Sequence, residues 1–414
     1  MRPNMGLLRQ HDFRALWLGA ALSQFAARMI AFGLPLVAIE QAHATAWQVG
    51  LVSVLGTVAF AVVGLPAGAL VDRVRQRRLL LWSDFARAVL VAALAAPLLG
   101  GAALGPVYVV ALATGVLAVF FDVAQQSYLP KLIGRADLVA GNGRLTTVQM
   151  VAQVAGPVCA GGLIALAGLR GTVLVIAAAF LGSALCLNRI TAPDQRPVPA
   201  PDRHLGREIA AGLRFVLRRP VLRRIALAGA LYNLFTLVIQ SIVTVRLVRD
   251  LGLSAAGAGV YFTAGGIGGV LGALAAKWLA DRLGRQRIIG LSLVMTAPFA
   301  LLTPVVTSGS AVWLAAGGYA IVSVGAVVFN VAQVSARQQV CPDELLGRMN
   351  ATLRFLLWGS MPVGALLGSV CAATIGVRAG LWVGAAGMVL ACLPVCLPGL
   401  RWADEPVTVP NRTG

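Results

Sequence analysis

Gly68-Ala69-Leu70-Val71-Asp72-Arg73-Val74-Arg75-Gln76-Arg77-Arg78 closes a long apolar stretch and opens a basic turn. The Asp-Arg pair returns as Asp281-Arg282, followed by Gly284 and Arg285, at an offset of 209 residues. Two further islands keep nearly the same spacing. Phe121-Asp122-Val123-Ala124-Gln125-Gln126-Ser127 matches Phe329-Asn330-Val331-Ala332-Gln333-Val334-Ser335 at 208, and Gly156-Pro157 falls opposite Pro362 at about 205. Islands in one order at nearly one offset mark a chain built from two related halves.

Between these islands the chain is apolar. Of 414 residues, 58% are hydrophobic and 12% charged, a balance that belongs to membrane proteins and overrides the multidomain soluble reading suggested by length. A helix needs about 20 apolar residues to cross roughly 30 Å of hydrocarbon at about 1.5 Å per residue. Twelve stretches meet that requirement: 13–40, 46–71, 79–100, 104–126, 145–168, 171–191, 222–247, 254–280, 288–306, 309–335, 350–375 and 378–400. The predicted fold is an all-α membrane protein with twelve transmembrane helices in two pseudo-symmetric six-helix bundles around a central cavity. The bundles fall at 1–191 and 222–400, separated by a proline- and arginine-rich linker at 192–221 and followed by a tail at 401–414. Within the linker, residues 207–219 have the pattern of an amphipathic helix whose arginines face anionic lipid heads.

The net charge of +19 first suggests a nucleic-acid partner, but the positions of the 34 Lys and Arg decide otherwise. With the N-terminus inside, 28 fall on cytoplasmic stretches and four (Arg170, Arg246, Arg249 and Arg378) on the opposite face. This is a positive-inside pattern, so both termini are expected in the cytoplasm of a multi-pass protein of the cytoplasmic (inner) membrane, with no nucleic acid as partner. The first apolar segment is too long for a signal-peptide core and carries Arg28, so it is expected to remain as a span. Neither the six cysteines nor the three histidines have metal-ligand spacing, and no nucleotide-binding Gly-x-x-x-x-Gly-Lys-Ser/Thr occurs. No metal, cofactor or enzymatic chemistry is expected.

The turn at Gly68, Asp72 and Arg73 resembles the loop motif of the major facilitator superfamily, with Arg75 in place of its later glycine. The second copy keeps Asp281, Arg282 and Gly284 but has Lys277 where the first glycine would lie. The resemblance implies a motif that latches the two halves in one conformation without touching substrate. Gly156-Pro157-Val158-Cys159-Ala160-Gly161-Gly162 is similar to that superfamily's antiporter motif, with Ala160 for the first of its paired glycines. Gly and Pro together open the backbone ladder and permit close packing, giving a bendable interface helix. The stretches 45–51, 126–132 and 342–348 resemble the branch containing enterobactin exporters and macrolide efflux proteins. That branch implies a proton-coupled exporter of a small amphiphilic molecule, acting by alternating access as a monomer. A uniporter or importer on the same fold is the alternative, and a membrane receptor or assembly factor a more distant one.

A charge within hydrocarbon costs about 2.5 to 3.5 kcal/mol on insertion scales, so each one invites a functional reading. Arg28 lies one turn after Gln24 in the first span, and the two are expected to face one side, toward substrate or a balancing carboxylate. Asp84 and Arg87 have the i, i+3 spacing of an intrahelical ion pair. Asp122 is replaced by Asn330 in the second half, and Asp84 by an uncharged residue, which confines ionisable carboxylates within the spans to the first half. Asp122 is the first candidate proton carrier, with Asp84 and Arg87 next. Polar stripes at helical spacing complete the set: Asn233, Thr236 and Gln240; Asn330 and Gln333; Gln149 and Gln153; Arg354 and Trp358. Each stripe must face a water-filled cavity or a neighbouring helix, since neither backbone nor side-chain polar groups are satisfied by lipid.

Overall fold

A computed structural model describes residues 6–71, 74–96, 104–133, 137–192, 213–214, 216–284, 287–307, 311–340 and 343–396, with helices as its only regular secondary structure among them. Asp72 and Arg73 of the loop motif, most of the linker and the tail lie outside the described residues, as do the side-chain surroundings of Gly68 and Arg354.

The helices begin and end where local chemistry dictates. α1 (His11–Glu40) is followed by α2 (Ala46–Val62), whose start is a capping box: Thr45 Oγ1 accepts from the Gln48 amide while Gln48 Oε1 accepts from the Thr45 amide. The second apolar stretch continues past Val63 as a short helix, Gly64–Val71. α3 (Gln76–Leu94) and α4 (Leu104–Ile133) follow. The predicted fifth and sixth spans form one helical tract, α5 (Leu138–Asn188), broken at Gly168, where φ is 67° and ψ 176°. Only glycine adopts that conformation without strain, which places the reversal where the apolar pattern pauses. After the linker come α6 (Pro220–Val245, with Pro220 at the first helical position), α7 (Ala255–Leu283, capped by Ser254) and α8 (Arg287–Thr296, which tightens into a 3-10 turn). α9 (Val312–Val340), α10 (Asp343–Thr374) and α11 (Val377–Leu390) follow, with one more helical turn at Leu393–Cys396.

Among the described residues, nine helical tracts are long and apolar enough to cross a membrane, so the chain is a multi-pass membrane protein. α4 runs to Ile133, two turns beyond the predicted boundary at 126, which places Asp122 well inside the helix rather than near its inner end.

The helices end at two faces, a terminal face at which α1 begins and a distal face at which it ends. α1 packs along α5, α7 along α9 and α6 along α10 within each sequence half; α5 meets α7 and α2 meets α10 between halves. The hydrophobic cores are arranged unequally. At the distal end one cluster joins both halves, running from Met29, Leu36 and Val49 through Phe180 to Ile242, Ala258 and Leu381. Toward the terminal face the halves have separate clusters, one around Phe13, Leu80, Phe121 and Leu187, the other around Ile225, Leu293, Phe329 and Met388. The same chain is therefore fused at one end and divided at the other.

The distal seam is close because it is made of small residues. A Cβ placed on Gly161 would stand 2.6 Å from the Ala255 carbonyl oxygen, and one on Gly259 would stand 2.6 Å from that of Pro157. Thr263 Oγ1 donates to the Val154 carbonyl at 2.8 Å, and the Arg249 guanidinium donates to the Ala44 carbonyl across the same end. Without water in the hydrocarbon, dispersion and such hydrogen bonds supply the helix contact.

Candidate functional site: a central cavity with an open guanidinium

Fusion at one end and division at the other leaves space between the halves. Two adjoining cavities lie between the halves, of about 380 Å³ on the divided terminal side and about 570 Å³ reaching into the distal cluster at Phe32, Leu34 and Val52. Both fall in the ordinary size range of small-molecule sites. Arg28, Gln153, Thr236, Gln240 and Tyr319 line both and form their junction. The larger cavity continues among Phe32, Phe60, Phe180 and Phe262, and the smaller between Thr146, Gln149 and Met150 of α5 and the inner faces of α7 and α9.

Arg28 stands in this space with its side chain exposed to the cavity, although it lies deep between the helices. Among the described residues it makes no hydrogen bond and no ion pair. Asp122 and Tyr319 act on it electrostatically. Gly156 makes its position possible, since a Cβ there would stand 2.6 Å from the Arg28 Cβ. The Gly-Pro element of α5 thus seats the cavity arginine as well as meeting α7. Opposite, Gln240 Nε2 donates to the Tyr319 hydroxyl at 3.4 Å, and the Tyr319 ring stacks on Tyr261 with centroids 5.5 Å apart.

Asp84 and Arg87 form a second, closed polar centre. Arg87 Nη2 lies 2.8 Å from Asp84 Oδ1, and the two side chains are 2% and 0% exposed. The contact is an ion pair without the alignment of a hydrogen bond, and Arg87 Nε has no acceptor among the described residues. The guanidinium is instead clasped by two rings, Phe121 at 4.8 Å and Phe180 at 4.9 Å. Asp84 accepts from Ser23 Oγ at 3.1 Å and from Ser183 Oγ, which is also 2.7 Å from the Gly19 carbonyl oxygen. Ser23 and Ser183 therefore hold Asp84 to α1 and to the later arm of α5.

Gln24 and Arg28, expected to face one side, have different surroundings. Gln24 is buried and donates from Nε2 to Asp122 Oδ1 at 3.4 Å, whereas Arg28 opens into the cavity. Asn233 lines the larger cavity while donating to the Leu357 carbonyl at 3.0 Å. Gln333 Nε2 donates to Asn330 Oδ1 at 3.1 Å, and neither residue lines the two cavities. Trp358 meets the edge of Phe60 across the halves, with centroids 5.2 Å apart. Asp281 and Arg282 of the second loop motif are exposed, with Arg282 over the Trp278 ring at 4.4 Å, and Gly284 ends α7 with φ 87°. Tyr319, Ser23 and Ser183 are functional neighbours that the sequence reading misses: Ser183 is a lone hydroxyl in an apolar run, Ser23 lies beside Gln24, and Ser323 one turn after Tyr319 is the one weak signal for the tyrosine.

Comparison with known proteins places these features in a family. Over 99% of its length the chain is 28% identical to the enterobactin exporter EntS of Citrobacter koseri, covering 97% of that protein. Over 88% it is 29% identical to the multidrug efflux pump Tap of Mycolicibacterium fortuitum, covering 91%. In fold it is similar to a bacterial homologue of the iron transporter ferroportin in its inward-facing state, at 19% identity, TM-score 0.72, with 96% of this chain and 100% of that one covered. Against the same homologue's outward-facing state the TM-score is 0.62, covering 95% and 100%. These relatives and this fold are those of membrane transporters and not of enzymes. The family of transmembrane secretion effectors matches residues 4–412, and the chain belongs to it, as a transporter of the major facilitator superfamily.

Proposed function

We propose that the chain exports a small amphiphilic molecule across the cytoplasmic membrane by alternating access, driven by inward proton movement. In this reading twelve spans form two six-helix halves, 1–191 and 222–400, joined by the linker 192–221, with both termini in the cytoplasm and the monomer as the working unit. The terminal face is then cytoplasmic, as the distribution of Lys and Arg supports.

One observation carries the reading: a single core fuses the halves at the distal end while separate cores leave a cavity between them toward the terminal face. This supports a carrier divided on its terminal side, which in the proposed orientation faces the cytoplasm, and closed on its distal side. The higher similarity to the inward-facing relative supports it. Reversal requires the glycine seam of α5 and α7 to part while the terminal ends close, with the two loop motifs (Gly68, Asp72, Arg73 and Asp281, Arg282, Gly284) as latch. Export is supported by the relatives, one of which exports enterobactin and another of which is a multidrug efflux pump.

Asp122 and Asp84 are the proposed proton carriers. Asp84 has a coupled partner in Arg87, and Asp122 acts electrostatically on both Arg28 and Asp84. A carboxyl group that gains or loses a proton here changes the charge balance around Arg28, which gives the proton a route to influence the cavity. In proteoliposomes holding the full chain, an imposed pH gradient should drive uphill movement of an amphiphilic probe such as enterobactin, and a protonophore should abolish it. Asp122→Asn and Asp84→Asn should each be compared. Transport that ignores the gradient in the wild-type chain rules out proton coupling, and transport that stays coupled in one variant removes that residue from the role.

A further inference from the structure

The walls of the two cavities carry two guanidinium groups, Arg28 and Arg87, and no carboxylate among the described residues. Arg87 is neutralised by Asp84 at 2.8 Å and clasped by Phe121 and Phe180, so its charge is already answered. Arg28 is different. It stands open at the junction of the cavities, and nothing among the described residues hydrogen-bonds or ion-pairs with it. A planar guanidinium offers parallel N–H donors matched to two oxygens of one oxyanion.

A second donor lies at the same junction. Tyr319 accepts from Gln240 Nε2 and so keeps its own hydroxyl proton to give. The Gln153 and Gln240 amides border the same space, while Phe32, Phe60 and Phe262 supply an apolar aromatic wall in the larger cavity. The site is thus sorted by polarity: anion-binding donors at the junction and aromatic surface beyond it.

We infer that the substrate is an organic anion with an apolar, aromatic-sized body, whose carboxylate or other planar oxyanion docks on Arg28 and the Tyr319 hydroxyl. Cations are disfavoured, because they would meet a guanidinium in cavity walls that carry no carboxylate among the described residues, the Asp122 carboxylate that acts on it being held by Gln24 outside those walls. This inference rests on the cavity being the transport site. It also has a consequence for energetics: export of a monovalent anion from a cell that is negative inside runs down the membrane potential. About 100 mV then sustains a gradient of roughly fifty-fold by itself, before any proton contribution.

The test uses three matched probes on the purified full-length chain in nanodiscs: dansylglycine, its neutral amide, and dansylcadaverine as the cation. Fluorescence titration should give the order carboxylate, amide, cation, with the carboxylate at least ten-fold tighter than the amide. Arg28→Gln should erase the difference between carboxylate and amide while leaving amide affinity within two-fold, which shows an intact cavity. Arg28→Lys should retain part of the preference. Equal binding of the three probes by the wild-type chain, no binding of the carboxylate, or an unchanged carboxylate-to-amide ratio in Arg28→Gln would each overturn the inference. So would Arg28→Gln weakening both probes equally, since that is a structural effect. The exporter reading fails separately: if the carboxylate binds at Arg28 but is not moved in proteoliposomes, transport is lost and the anion site stands.

Discussion

Removing one member of the Asp84–Arg87 pair should be far more damaging than removing both. The side chains are 0% and 2% exposed, and the carboxylate holds two further hydrogen bonds, from Ser23 and Ser183. Asp84→Leu leaves a guanidinium 2% exposed, held between Phe121 and Phe180 with no counter-charge beside it. Uncompensated buried charges of this kind destabilise by about 3–5 kcal/mol. Arg87→Met leaves a carboxylate with hydroxyl donors only, and should fall at the lower end of that range. In the double variant the site has no charge to bury, and Leu and Met meet the two phenylalanine rings, so its loss should be under about 2 kcal/mol. The two single losses together predict at least about 6 kcal/mol, so the coupling energy in the cycle is about 4 kcal/mol or more. Urea unfolding of the purified chain in mixed micelles, followed by tryptophan fluorescence and read as midpoint shifts at constant slope, measures all three. If the double variant is as unstable as the sum of the singles within about 0.5 kcal/mol, the pair does not interact as the geometry requires and the reasoning fails.

Gly161→Val and Gly259→Val each put a Cβ 2.6 Å from a carbonyl oxygen of the other half, with two methyl groups beyond it, so the distal seam should part. A single cysteine introduced at Thr57, in the larger cavity, should then be labelled faster from the exterior by a membrane-impermeant maleimide than in the parent chain. Gly156→Ala, whose Cβ would press on the Arg28 side chain 2.6 Å away, should lower carboxylate-probe affinity about ten-fold by displacing the guanidinium, with amide-probe affinity nearly unchanged. Gly168→Ala forces φ 67° on a residue with a side chain and should destabilise by about 1–3 kcal/mol, seen as a lower urea midpoint without a change in probe selectivity.

Composition and apolar run length determined that the chain is helical and spans a membrane many times. These properties depend on bilayer thickness and helix rise, and can be read locally. The repeat of Phe121–Ser127 at Phe329–Ser335 was equally linear information. The spacing of Asp84 and Arg87 was enough to pair them, because i and i+3 are neighbours on any helix. The same rule was not enough for Gln24 and Arg28, nor for the stripes. Whether a polar residue opens into a cavity or is consumed by a neighbouring helix depends on the rotation and crossing of helices distant in sequence. Packing sets both, and residues three or four apart do not encode them. Asn233 reaches the Leu357 carbonyl, Gln333 reaches Asn330 and Gln24 reaches Asp122, while Arg28 reaches nothing among the described residues. Sequence placed a charge in the first span. Only the tertiary structure, by seating it against Gly156 in the gap between halves that share one core at one end and none at the other, decided that it opens into a cavity without a hydrogen-bond or ion-pair partner among the described residues.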